Sequence, residues 1–174
     1  MLASIQETYD SLTGKREKLS QRLDSLKGAV LAFKAGPDKW SIVEVVEHLV
    51  IAEADLIRQL TADAHSPPLD IESRSAKKFQ TVIKVMERDI EVDVPHESME
   101  PHGRVALEDL LYQWDDIRKK LQELFAGIKK ENKGDMVYRH PYAGPLDISE
   151  TLNFFEVHYD NHMRQIDRIL TLAK

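Results

Sequence analysis

Cysteine is absent from all 174 residues. That excludes disulfide bridges, thiolate metal ligands and a cysteine nucleophile supplied by the chain itself. Also missing is an excess of positive charge: 24 Lys and Arg stand against 30 Asp and Glu, a formal net charge of −6. An acidic surface repels phosphate backbones and anionic lipid, so neither nucleic acid nor membrane is an expected partner. No apolar run approaches the roughly 20 residues that cross a bilayer. The opening MLASIQETYDSL alternates apolar and polar residues where a signal peptide would have an apolar core. A cytoplasmic location is expected by default. What is present is ordinary: 42% apolar and 31% charged residues, in a length that suits one domain over residues 1–174.

Apolar positions repeat at helical spacing in four long segments. In the first, Ile5, Tyr9, Leu12, Leu19, Leu23, Leu26, Val30 and Phe33 form the stripe, Arg16 fills the one slot that breaks it, and Gly36-Pro37 is a stop signal. A second helix should open at Ser41, with Glu44 three residues on as its capping-box partner, and run to about Ala64 before Ser66-Pro67-Pro68. Phe79, Val82, Ile83, Met86 and Ile90 suggest a shorter helix in the long connector that follows. The third long helix carries Leu107, Leu110, Trp114, Ile117, Leu121, Leu124 and Ile128. A loop with Asn132, Gly134, Pro141, Gly144 and Pro145 leads to the last helix, which should start at Asp147 with Glu150 closing a second capping box. Its stripe is Ile148, Leu152, Phe155, Tyr159, His162, Ile166 and Ile169. No strand-like alternation of useful length appears. The expectation is therefore an all-α chain, a four-helix bundle whose second and third long helices are joined by a long crossover, since antiparallel neighbours need only a short loop. Charge-rich stretches such as Arg118-Lys119-Lys120 belong on solvated outer faces.

Seven histidines are present. His65, His96, His102 and His140 fall at helix ends or in loops and read as solvated. His158 and His162 are four apart and so lie on one helix face, the buried one. Two imidazoles placed this way can converge on one ion. Such a pair arises by chance often enough to be weak evidence alone, although two buried rings are hard to satisfy with ordinary partners. His48, one turn past Glu44 on the flank of the second helix's stripe, would by itself read as a partly exposed surface residue.

Its setting changes that. The run Lys39-Trp40-Ser41-Ile42-Val43-Glu44-Val45-Val46-Glu47-His48-Leu49, continuing to Glu53, resembles the second-helix signature of the DinB-like superfamily, the DinB/YfiT-like metalloenzymes. His140-Pro141-Tyr142-Ala143-Gly144-Pro145-Leu146 is similar to that family's loop before the last helix. His158-Tyr159-Asp160-Asn161-His162 followed by Arg164-Gln165-Ile166 is similar to its closing motif. The resemblance implies a four-helix bundle holding a divalent metal through one histidine of the second helix and two of the fourth: here His48, His158 and His162.

Three neutral imidazoles leave at least one coordination position for water or substrate, which points toward catalysis or ligand capture and away from a closed structural clamp. Such an ion acts as a Lewis acid and lowers the pKa of a bound water or thiol. Zinc is the first choice, with nickel, iron and manganese open. Glu44, on the flank of His48, either orients a ligand or acts as a base, or it only caps the helix. Family members include transferases and isomerases that use low-molecular-weight thiols such as bacillithiol or mycothiol, and others are regarded as metal-dependent hydrolases. The resemblance therefore implies a small-molecule substrate, with three readings: thiol S-transferase, hydrolase, or a non-catalytic metal- or ligand-binding module of a stress response. A chain without cysteine suits a reaction whose sulfur comes from a small molecule, and suits hydrolysis equally. The surroundings of Trp40 and Trp114 and the long first helix offer apolar area for a homodimer, as the family often forms, although core packing accounts for both tryptophans too. Imidazole ligation also implies that metal affinity weakens as pH falls from about 7.5 to about 5.5.

Overall fold

Ile5, Tyr9, Leu12, Leu19 and Leu23 recur every three, four or seven residues and form the buried face of helix α1 (Ala3–Asp24). A computed structural model describes residues 1–61, 75–88, 94, 96–129 and 134–174. The periodicity predicts one helix continuing past Leu26, Val30 and Phe33, but the chain breaks after Asp24. The Ser25 hydroxyl donates to the Arg22 carbonyl at 2.7 Å, a local bond that competes with the helical ladder. Only a single turn, α2 (Gly28–Leu31), follows. Leu26, Val30 and Phe33 are half-buried against the core, so packing does not enforce a continuous rod.

Helix α3 (Ile42–Leu60) begins as expected: the Ser41 hydroxyl accepts the Glu44 N–H and the Glu44 carboxylate accepts the Ser41 N–H. Its expected continuation to Ala64 lies outside the described residues. Helix α4 (Ala76–Glu87) buries Phe79 and Ile83. Ile90, the end of its predicted stripe, is not among the described residues. Helix α5 (Leu107–Ala126) buries Leu110, Trp114, Arg118, Leu121 and Phe125. That face is turned relative to the predicted one, because Arg118 and Phe125 point inward while Ile117 and Leu124 are half-buried. Helix α6 (Ile148–Leu172) has the predicted capping box at Asp147 and Glu150, and every residue of its predicted stripe is buried.

The all-α expectation needs one correction. The segment before α6 forms an antiparallel hairpin of β1 (Met136–His140) and β2 (Gly144–Asp147). Tyr138 pairs with Leu146 and His140 with Gly144, with an irregularity between Met136 and Tyr138. Gly144 has φ +78°, a backbone conformation that glycine adopts without steric cost. Tyr138 and His140 are buried while Arg139 between them is exposed, so the strand does alternate, but over too few residues to stand out in the sequence. The hairpin is held from outside: Tyr138 stacks on Phe154 with ring centroids 6.1 Å apart, and the Arg139 N–H donates to Gln59 Oε1 of α3 at 2.7 Å.

The described chain is thus mostly helical with one small sheet. Helices α1 and α3 each pack on both α5 and α6, α4 lies on α6, and the hairpin rests on α3 and α6. Trp114, Phe125, Ile42, Leu56, Ile148 and Ile166 are among the fully buried core side chains. Each stabilises the fold by about 1.5–3 kcal/mol relative to exposure. No helix among the described residues is long and apolar enough to cross a membrane.

Candidate metal centre

Two rigid helices bring the histidines together. His48 sits in the second turn of α3, and His158 and His162 sit one turn apart in the middle of α6. All three are buried, at 6–7% exposure. His48 Nε2 lies 3.1 Å from His158 Nε2, and His162 Nε2 lies 3.0 Å from the same atom. Among the described residues this is a cluster of three, with no carboxylate among its members. His48 is therefore no surface residue.

The outward nitrogens decide the tautomers. His48 Nδ1 lies 2.8 Å from the Met99 carbonyl and His162 Nδ1 lies 2.7 Å from Gln165 Oε1. Both neighbours are acceptors, so both Nδ1 atoms carry the proton and both Nε2 atoms present lone pairs inward. His158 Nε2, between them, can donate to one at most, and His158 Nδ1 is buried with no hydrogen-bond partner. Either tautomer of His158 leaves a buried polar atom unmatched, an arrangement that costs free energy in a closed core. A cation at the meeting point would accept all three lone pairs. Two ligand nitrogens about 2.0–2.1 Å from such an ion lie about 3.0–3.4 Å apart, so the donor set fits a divalent metal in type and spacing.

The electrostatics keep the rings neutral and ready to ligate. Burial pushes the pKa of His48 down, against the bond to Met99. Burial, and then the neighbouring rings of His162, His48 and His140, place His158 well below the ordinary histidine range. Burial and His48 push His162 down to about 3, with the Gln165 bond opposing. Proton competition for the metal therefore moves below the pH window expected from exposed imidazoles.

Aromatic rings hold the site. Trp40 lies 5.0 Å from the His48 ring and stacks at 6.3 Å on His162, and Phe154 stacks at 5.3 Å on His158. One wall is the 3-10 turn Glu97–Met99, which supplies the carbonyl for His48. That segment is fixed to α3 by buried Glu47, whose Oε2 accepts the backbone N–H groups of His102 and Gly103 at 3.1 and 2.8 Å. Gly103 has φ +64°, and a Cβ there would meet Glu44 Oε1 at 3.1 Å. The triad opens onto a cavity of about 1480 Å³ walled by Trp40, Val82, Met86, Met99, Tyr138 and Phe154, among others.

The other sequence candidates fall as follows. Glu44 directs Oε2 to the Ser41 N–H and hydroxyl and Oε1 to Lys34 Nζ at 2.6 Å. Burial raises its pKa, but Lys34 and Ser41 more than offset this and leave it lowered. His96 is exposed and caps the Glu97–Met99 turn, His102 is exposed, and His65 lies outside the described residues. His140 contradicts its reading as a solvated loop residue: it is 5% exposed. The hairpin carries it under Phe154, and only the brief alternation of Tyr138, Arg139 and His140 hinted at that. Both tryptophans serve this chain, Trp114 in the core and Trp40 against the histidines. Sequence reasoning missed Met99, Gln165 and Glu47. Gln165, three residues after His162 on one helix, was within reach of the spacing argument; the other two depend on tertiary folding.

A helical chain that buries three converging histidines from two helices has them positioned to bind a metal ion. The DinB superfamily profile matches residues 11–166, and the chain belongs to that superfamily. No curated protein matches the chain.

Proposed function

We propose that this protein is a metal-dependent enzyme in which His48, His158 and His162 hold one divalent ion, zinc in first place, and which adds a low-molecular-weight thiol to a small electrophile. In this reading α1, α3, α5 and α6 are a four-helix bundle and the chain between α3 and α5 is its crossover. The observation that carries the proposal is the convergence of three buried Nε2 atoms that can share at most one proton among them. When bound, the ion supplies Lewis-acid activation of a ligand in its open position. The rest is done by the chain. Met99 and Gln165 fix the Nδ1–H tautomers, so the lone pairs stay directed inward. Trp40 and Phe154 fix the ring planes. The apolar part of the wall, with Trp40, Val82, Met86 and Tyr138, suits an uncharged electrophile. The chain has no cysteine, so sulfur for the reaction must come from the cosubstrate.

The test is consumption of a model electrophile by metal-restored protein with and without a panel of small thiols. Acceleration that needs both metal and thiol, and that His158→Ala abolishes, supports the transferase. Turnover of a model ester without thiol would move the assignment to a hydrolase. Inertness toward both classes, with metal bound, would leave a binding module.

A further inference from the structure

A fourth histidine borders the same cavity in the opposite tautomer. His140 ends β1, and its Nδ1 accepts the backbone N–H groups of Tyr142 and Ala143, both at 3.1 Å. A ring nitrogen that accepts two such bonds is a lone pair, so the proton of the neutral ring is on Nε2. Burial pushes the pKa of this group down to about 4, which keeps it neutral. The ring packs edge-on against Phe154 at 4.7 Å, and Phe154 also stacks on His158 at 5.3 Å. His140 and the three triad histidines line one cavity. The triad thus directs three Nε2 atoms to one point, and on the other side of Phe154 the hairpin carries an N–H on the same cavity.

We propose that His140 is a specificity-determining donor: its Nε2–H binds one electron-rich atom of a small anionic ligand whose other end takes the open position of the ion held by His48, His158 and His162. The inference rests on the metal reading above and adds a ligand class to it, an anion with two separated acceptor atoms. Carboxylates and linear anions meet that description.

Two substitutions separate this role from support of the hairpin turn. Asparagine can place Oδ1 where Nδ1 accepts the two turn N–H groups, but has no atom where Nε2 stood. Glutamine can place an amide N–H near the Nε2 position, but removes the turn acceptor. The experiment is azide titration of the full chain loaded with Co²⁺, read in the visible spectrum, for wild type, His140→Asn and His140→Gln. Co²⁺ affinity should be unchanged in both variants. Azide affinity should fall roughly 10- to 100-fold in His140→Asn and stay within about fivefold of wild type in His140→Gln, the loss of one hydrogen bond to a charged ligand. Equal azide affinity in wild type and His140→Asn would overturn the proposal, as would a loss confined to His140→Gln, which marks a structural role. If wild type gives no Co²⁺ ligand-field bands, the metal reading fails and this inference falls with it.

Discussion

Helix α3 contributes to two buried polar clusters, and they are built on opposite principles. Around Glu53 the charges answer one another. Arg118 Nη1 lies 3.3 Å from Glu53 Oε1, and Arg118 Nη2 donates to the Tyr9 carbonyl and to Thr13 Oγ1. The guanidinium lies 4.6 Å over the Tyr9 ring, while the Tyr9 hydroxyl donates back to the Arg118 carbonyl. Only Arg118 Nε within this set lacks a partner. Around His48 the outer nitrogens of His48 and His162 are answered, that of His158 is not, and three Nε2 atoms share at most one proton. Donors and acceptors that close on themselves make a structural brace. Ring nitrogens that converge with too few protons to share suit something electron-poor. The same helix, about one turn apart, carries both.

Cutting the brace should have the largest effect on stability. Arg118→Met leaves the Glu53 carboxylate buried and unpaired, in a place where burial already pushes its pKa up. The expected loss is about 3–5 kcal/mol in urea denaturation, with metal binding retained by the folded fraction. A loss under about 1 kcal/mol would mean the brace does not differ from the triad in the way argued.

The receptor should respond in the reverse sense. His158→Phe should cost the metal-free protein less than about 1.5 kcal/mol, because the ring volume is largely kept and a badly matched polar group is removed. Wild type should gain about 4 kcal/mol when free zinc exceeds its dissociation constant a thousandfold, and His158→Phe should gain nothing. Metal-dependent stabilisation surviving in the variant would remove His158 from the site.

Acid sharpens the contrast. His48, His140, His158 and His162 all have folded-state pKa values below the unfolded value near 6.5, with His140 at about 4 and His162 at about 3. The unfolded chain then binds more protons below about pH 6.5, so this stability is complete above that pH and is lost as pH falls toward 4 and then 3. Each group adds up to about 1.4 kcal/mol per pH unit to the slope for the metal-free protein. Denaturation midpoints that stay level between about pH 7 and pH 5 would contradict the burial of these rings. Zinc affinity should hold through the ordinary imidazole range and fail only at lower pH, which replaces the weakening between about pH 7.5 and about pH 5.5 expected from the sequence, because burial lowers the pKa of all three rings.

The smallest effect belongs to the cap. Glu44→Gln weakens the pair with Lys34 and the capping box and should cost about 1 kcal/mol with metal content unchanged. Loss of metal would instead make Glu44 part of the centre.

These contrasts also mark what could be read from the chain. Both capping boxes were legible because Ser41 with Glu44, and Asp147 with Glu150, interact across one turn. The stripe of α6 was legible because its period persists for about six turns, from Ile148 to Ile169. The break at Ser25 was not, since the apolar period runs on through Leu26 and Val30 while the Ser25 side chain bonds to the Arg22 carbonyl and packing does not hold the rod together. The hairpin was missed because its strands have five and four residues and rest on α3 and α6, which the local sequence does not reveal. The triad was legible in part: the spacing of His158 and His162 follows from helix geometry, whereas His48 was identified through family resemblance. The bond from His48 to Met99 joins residues 51 apart, and the burial of His140 depends on where Phe154 falls, so neither leaves a local trace.

Nuclear magnetic resonance of ¹⁵N-histidine-labelled protein, titrated with zinc, tests the central claim most directly. Three imidazoles should move together to the metal-bound pattern at one equivalent, with the ion on Nε2 and the proton on Nδ1, and they should be those lost in His48→Ala, His158→Ala and His162→Ala. His140 should keep its proton on Nε2 throughout. Zinc that shifts no histidine, or shifts a different set, would contradict a metal centre at the meeting point of α3 and α6.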